Sequence, residues 1–203
     1  MIVVLVAISA LSGLILGPLR AFTEPKAELN ILKFKKVPAV INILKGDPTK
    51  VGKEEKEKLE TEILADKKEL AIEGQEKPTV FFVLKKDGKP YGVAIESAGK
   101  GYAGDISVMV GFNLQTGNLE GIGIGAMSET PGVGTRTKED SFTMQFRGMS
   151  KNTVFKIKKD GGGIDAVTGA TFSSRGVALA VTKAKAFYDQ HQQEIKKLAE
   201  GKP

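Results

Sequence analysis

The residues best able to do chemistry lie in one run, Asp165-Ala166-Val167-Thr168-Gly169-Ala170-Thr171-Phe172-Ser173-Ser174. An acid, two residues with almost no side chain and a set of hydroxyls stand directly before a strongly periodic segment. A helix N-terminus presents unpaired amide N–H groups and a partial positive charge, so it attracts phosphate. Gly169 and Ala170 leave room for a bulky partner to approach the backbone and the Thr171 hydroxyl. Asp165 lies upstream, where a carboxylate can hold a metal that accompanies a diphosphate. By spacing alone the simpler reading is favoured, a turn closed by Ser173 or Ser174 as helix N-cap.

A second constellation is Ser128-Glu129-Thr130-Pro131-Gly132-Val133-Gly134-Thr135. Pro131 fixes φ, and the glycines permit close backbone approach. Such a loop can lie against a flat ring and offer it N–H groups. An ordinary connection between elements accounts for it equally well.

These segments need a scaffold, and the hydrophobic pattern predicts one. Val177, Ala180, Val181, Ala184, Phe187 and Tyr188 keep i, i+3, i+4 spacing, which predicts an amphipathic helix immediately after Thr171. From Thr79 the period is that of strands. Val80 to Leu84 and Tyr91 to Glu96 flank a turn at Lys86-Asp87-Gly88-Lys89. Asp105 to Phe112 and Leu119 to Gly125 flank another at Gln115-Thr116-Gly117-Asn118. Successive hairpins without crossover helices predict an α+β fold, an antiparallel sheet with flanking helices, and disfavour a doubly wound parallel sheet. Gly121, Gly123 and Gly125 imitate a dinucleotide-binding loop, but no helix follows them.

Composition narrows the chemistry. The chain has 203 residues, no cysteine and one histidine, His191. Thiolate metal sites, cysteine-ligated clusters and multi-histidine sites are therefore excluded, and redox chemistry would need an organic cofactor. His191 is expected to be a solvated helix residue. The net charge of +6 is carried by lysines interleaved with glutamates, as in Lys53-Glu54-Glu55-Lys56-Glu57-Lys58, without stacking aromatics. A solvated helix face is expected there, and no nucleic-acid binding.

Ile2 to Leu19 is nearly all apolar, close to the ~17–25 residues that span hydrocarbon. Ser9, Gly13 and Gly17 form a small-residue stripe suited to packing against another membrane helix. A cleaved signal peptide is the rival reading; the absence of a basic n-region and of an A-x-A-like site favours a retained anchor. Arg20, Lys26 and Lys33 follow the span and no basic residue precedes it, which by charge alone favours a cytoplasmic domain. The expected organisation is an anchor over 1–22, a juxtamembrane helical segment over 23–76, an α+β domain over 77–192 and a polar, frayed tail over 193–203. Within the second segment, Ala39, Val40, Ile43 and Leu44 predict one helix and Glu54 to Leu64 another, as scaffold.

Gly101-Tyr102-Ala103-Gly104-Asp105-Ile106-Ser107-Val108-Met109-Val110-Gly111, followed by the two constellations in this order, resembles the FMN-binding domain of the G subunit of the Rnf complex. It is similar also to the C subunit of the sodium-pumping NADH:quinone oxidoreductase. Asp165-Ala166-Val167-Thr168-Gly169-Ala170-Thr171 matches the family's D-x-x-[ST]-G-A-[ST] flavinylation motif, and Glu129-Thr130-Pro131-Gly132 its E-T-P-G loop. The resemblance implies FMN joined to Thr171 by a phosphoester, with Asp165, Thr168, Gly169, Ala170, Glu129, Thr130, Gly132 and Val133 as cofactor-binding residues and no metal site or catalytic residue. It implies an electron-transfer subunit of a redox-driven ion translocase in the membrane. The expected partners are the other membrane and redox subunits, and a flavin transferase that uses FAD and Mg²⁺. It sets the domain on the extracytoplasmic face, against the charge count, and we follow it. The alternatives are the quinone-reductase type of subunit, a covalent-FMN shuttle to another extracytoplasmic reductase and, more distantly, a flavin-free tethered binding module. The chain departs from the family at Met127, where a histidine is usual. The sequence after Thr171, Ser174-Arg175, and the chain length are closer to the Rnf type.

Overall fold

A computed structural model describes residues 2–74 and 78–201, apart from the side chains of Ala7, Ala21, Phe22, Pro25 and Glu28. Strands form where the sequence turns β-branched and aromatic. β1 (Lys67–Leu70), β2 (Thr79–Lys86), β3 (Lys89–Lys100), β4 (Asp105–Asn113) and β5 (Leu119–Ile124) make a five-stranded sheet in the order β1-β2-β3-β4-β5. Every pairing is antiparallel. Asp87 (φ 53°) and Gly88 (φ 75°) form the two-residue turn between β2 and β3, the left-handed pair that matches strand twist.

Alternation assigns the faces. Phe81, Val83, Val93, Ile95, Val108, Val110 and Phe112 point to one face and form the main core with α5 (Thr171–Glu200). Phe82, Leu84, Ala94 and Met109 point to the other, where α2 (Val37–Lys45) and α3 (Lys53–Ala65) cover them. Both long contacts require glycine. A Cβ on Gly99 of β3 would stand 2.0 Å from the Gly176 carbonyl oxygen of α5. A Cβ on Gly123 of β5 would stand 1.9 Å from the Ala39 carbonyl oxygen of α2. The Gly121/Gly123/Gly125 spacing is thereby explained as a seat for a helix backbone.

At the N-terminus, α1 (Ile2–Ile31) runs through a π-helical turn, Leu32–Lys36, into α2. Its segment Ile2–Arg20 has a mean hydropathy of 2.5 and is long and apolar enough to cross a membrane. Lys36 pairs with Glu96 of β3 at 2.7 Å, tying the turn to the sheet.

Some expectations need correction. β1 lies within the segment read as helical: four residues, Lys-Lys-Glu-Leu, form an edge strand because Phe82 to Thr79 supply a register for them. The tail is not frayed. Residues 193–200 continue α5, and Ile195 and Ala199 are buried in the main core. His191 marks a kink (φ −112°, ψ 17°) and is half-buried, its ring 4.8 Å from that of Phe187, rather than fully solvated. The expected boundary at 76/77 lies outside the described residues.

Candidate functional site

The site is assembled from three stretches of chain that meet at the N-terminus of α5. Helix formation begins at Thr171 because Gly169 takes the left-handed conformation (φ 81°) and breaks the preceding path. No side chain caps the helix. The expectation of Ser173 or Ser174 as N-cap is therefore wrong; both lie inside the first turn, and both are buried. The Ser174 hydroxyl accepts from the Val167 N–H at 3.0 Å and donates to the Ala170 carbonyl at 2.9 Å. The Ser173 hydroxyl donates to Glu129 Oε2 at 2.5 Å. The amides of Thr171, Phe172 and Ser173 that open α5 thus have no intrahelical or side-chain acceptor among the described residues, in the position that favours an anion. The Thr171 side chain is half-buried, and its hydroxyl makes no hydrogen bond among the described residues.

The loop after β5 is closed on itself. Val133 and Thr135 donate N–H groups to the Thr130 carbonyl at 3.2 and 3.3 Å, and Gly132 donates to Thr135 Oγ1 at 2.9 Å. Gly132 is left-handed (φ 72°). Glu129 turns inward instead of toward solvent and is only 5% exposed. Its Oε1 accepts from the Ala103 N–H at 2.9 Å. Met127 is half-buried and packs against the main core.

A cleft of about 170 Å³ opens between these stretches. Glu129, Thr130, Val133, Gly169 and Ala170 line it, as do four residues outside the expected cofactor-binding set, Tyr102, Gly134, Phe172 and Ser173. Tyr102 and Phe172 are 74% and 59% exposed, and their rings lie 6.2 Å apart at 52°. Exposed aromatics beside a motif were the signal available, since Tyr102 and Phe172 each stand within a stretch that carries the family resemblance. Thr171 stands between Ala170 and Phe172. Thr171 and Gly132 are not themselves among its lining residues, and neither are Asp165 and Thr168. The latter two face a neighbouring depression with Arg136 and Gln145. The Asp165 side chain is 65% exposed and pairs with Lys158 at 2.7 Å.

The surrounding charges are mostly paired. Arg175 binds Asp160 through two nitrogens, at 2.6 and 2.7 Å, and its guanidinium stands 5.6 Å from the Phe172 ring centre. This hydrogen-bonded Arg175 holds the Asp160 carboxyl below its ordinary range. Among the described residues no group of three or more histidine, cysteine or acidic residues is arranged to hold a metal.

The residues present fit a flavin phosphate. An uncapped helix start, a hydroxyl on its first residue and an exposed aromatic rim suit a phosphorylated ring compound. At about 170 Å³ the cleft is smaller than the ~300–1,000 Å³ of pockets that enclose a small molecule. A tricyclic ring would be covered only in part.

Comparison with known proteins gives the same direction. Residues 101–186 match the family of the FMN-binding domain. The chain is 36% identical over 129 residues to the G subunit of the ion-translocating oxidoreductase complex of Vibrio cholerae, covering 60% of this chain and 61% of that one. It is 33% identical over 140 residues to the protein of the same name from Shewanella baltica, covering 66% and 64%. The chain therefore spans about three fifths of the length of the curated relatives it matches. The crystal structure of the C subunit of a Na⁺-translocating NADH-quinone reductase from Parabacteroides distasonis superposes with a TM-score of 0.57 at 18% identity, covering 89% of this chain and 96% of that one. At that identity the likeness shows a shared fold.

Proposed function

We propose that this chain, whose residues 101–186 match the FMN-binding domain family, is the covalent-FMN electron-transfer subunit of an Rnf-type ion-translocating oxidoreductase complex. The observation that carries the reading is the Thr171 hydroxyl, without a hydrogen bond among the described residues, at the uncapped start of a 30-residue helix and beside exposed aromatic rings. The similarity to relatives named as G subunits supports it. FMN is held as a phosphodiester on Thr171 Oγ, formed from FAD by a flavin transferase with Mg²⁺, with AMP released and the hydroxyl proton lost. When bound, FMN accepts electrons singly or in pairs and so links one-electron and two-electron carriers.

The remaining work belongs to the protein. The N-terminal amides of α5 face the phosphodiester charge, an interaction worth about 0.3–1 kcal/mol at an exposed helix end. Gly169 keeps the approach to Thr171 open. Tyr102, Val133 and Phe172 offer apolar surface to the ring and leave part of it in solvent, where a redox partner can reach it. Thr171 is an attachment point and takes no part in turnover. Asp165, displaced from the cleft and paired with Lys158, serves the attachment step rather than the bound flavin. The apolar segment Ile2–Arg20 anchors the chain in the membrane, with the domain on the extracytoplasmic side, where lost FMN would not be replaced.

Denaturing gel electrophoresis under ultraviolet light tests the reading. The chain purified from its native host is expected to fluoresce and to carry the added mass of FMN less water, and Thr171→Ala to abolish both. A dark band with the bare-chain mass overturns the flavin; fluorescence retained by Thr171→Ala overturns the residue.

A further inference from the structure

We infer that Glu129 is a positioning residue for flavin attachment, acting through Ser173 to set the rotation of the helical turn that carries Thr171; this rests on the covalent reading above. A glutamate is seldom buried unless paired, yet Glu129 is 5% exposed and forms no ion pair among the described residues. Its partners are neutral donors on separate segments: the Ala103 N–H at 2.9 Å and the Ser173 O–H at 2.5 Å. One carboxylate thus joins the 101–104 turn, the 128–135 loop and the start of α5. These are the three stretches that line the cleft.

The space around the carboxylate is shaped for it. A Cβ on Gly101 would stand 2.6 Å from Glu129 Oε1. One on Gly134 would stand 2.6 Å from the Glu129 Cβ and 2.8 Å from both Glu129 Oε2 and Ser173 Oγ. Apolar contact alone lets a helix roll about its axis, whereas a hydrogen bond to a fixed acceptor does not. Residues two apart on a helix project about 200° from one another. Holding Ser173 inward on Glu129 therefore turns Thr171 away from the core. Ser174, bonded to Val167 and Ala170, fixes the turn along the chain, and Glu129 fixes its roll.

The test measures the rate at which the full-length, detergent-solubilised chain takes up FMN from FAD, with Mg²⁺ and a flavin transferase, per folded molecule. Glu129→Ala and Ser173→Ala are each expected to slow loading by about tenfold to a hundredfold, the scale of an ångström-level misplacement. The double variant should be no slower than the slower single variant, because the pair acts as a unit. Glu129→Gln should load near the wild-type rate, since its amide oxygen can accept from Ala103 and its NH₂ can donate to Ser173 Oγ. Once loaded, Ser173→Ala should show lower flavin fluorescence anisotropy than the wild type. Wild-type rates in both alanine variants overturn the inference. So does Glu129→Gln loading as slowly as Glu129→Ala, or a deficit that disappears on correction for folded fraction. If Glu129→Ala does not fold, Ser173→Ala, lacking one hydroxyl, decides alone. A wild-type chain that takes up no flavin removes the premise itself, an outcome distinct from a variant-specific failure.

Discussion

Two helices lie against opposite faces of one sheet, and each approaches it over a glycine. On one side α5 crosses Gly99; on the other α2 crosses Gly123, each leaving no room for a methyl group. In packing terms the contacts are equivalents. They differ in what the helix ends do. α2 begins as a continuation of the π-helical turn that leads from α1, with Pro38 in its first turn and Val37 already buried. Its start is used up in connecting the apolar N-terminal helix to the domain. α5 begins in a glycine turn with no cap, and a buried carboxylate holds one serine of its first turn. The same device for close packing thus supports a connection on one face and a candidate chemical site on the other.

Separating the two sides experimentally sharpens that contrast. The largest effect is expected from Thr171→Ala: complete loss of covalent flavin with stability within about 0.5 kcal/mol of wild type, because the hydroxyl gives up no hydrogen bond within the described chain. Equal loss of stability and flavin would mean that the threonine has a packing role. Next, Gly123→Ala and Gly99→Ala should each cost about 1–3 kcal/mol in denaturant unfolding, the range for overpacking a close contact. Only Gly99→Ala should also slow flavin loading per folded molecule, since it displaces the helix that carries Thr171. Should Gly123→Ala slow loading as much, the two faces are coupled and the comparison fails. A smaller effect is expected from Gly169→Ala, about 1–2 kcal/mol for a side chain at φ 81°, with loading reduced because the approach to Thr171 narrows.

The smallest effect concerns Asp160 and Arg175. The folded-state carboxyl is held below its ordinary range, first by the hydrogen bond from Arg175. Its stabilisation is therefore present above the unfolded value and lost as pH falls through the folded one. Stability curves of wild type and Asp160→Asn should differ modestly at neutral pH and converge below pH ~3.9, the ordinary aspartate value. A gap that persists in acid would assign the effect to packing of Arg175 on Phe172 instead of to charge.

Much of this molecule is local in origin and was legible. The hairpin turn at Asp87-Gly88, the strand alternation from Thr79 and the periodic helix from Val177 follow from backbone preferences within a few residues. The start of a helix at Thr171 was legible as well, because Gly169 and the periodic run from Val177 bracket it, whereas a role for the Thr171 hydroxyl came only with the family resemblance. β1 was not legible, since Lys67-Lys68-Glu69-Leu70 has no strand signature and forms only where β2 offers it an edge. Cap preference is a local average and points to the serines after Thr171 as caps, while their hydroxyls have other partners: Val167 and Ala170 for Ser174, Glu129 for Ser173.

By itself the sequence determined the antiparallel order of hairpins, the apolar N-terminal segment, the absence of thiolate and multi-histidine chemistry, and the start of a helix just after Gly169-Ala170. These depend on residue type and short spacing. Only the tertiary structure decided that Glu129 is buried and joined to residues 26 and 44 positions away, that Tyr102 and Phe172 share a rim, and that Gly123 serves a helix instead of a nucleotide. Each of those depends on which distant segments the sheet brings together, and spacing along the chain does not encode that distance.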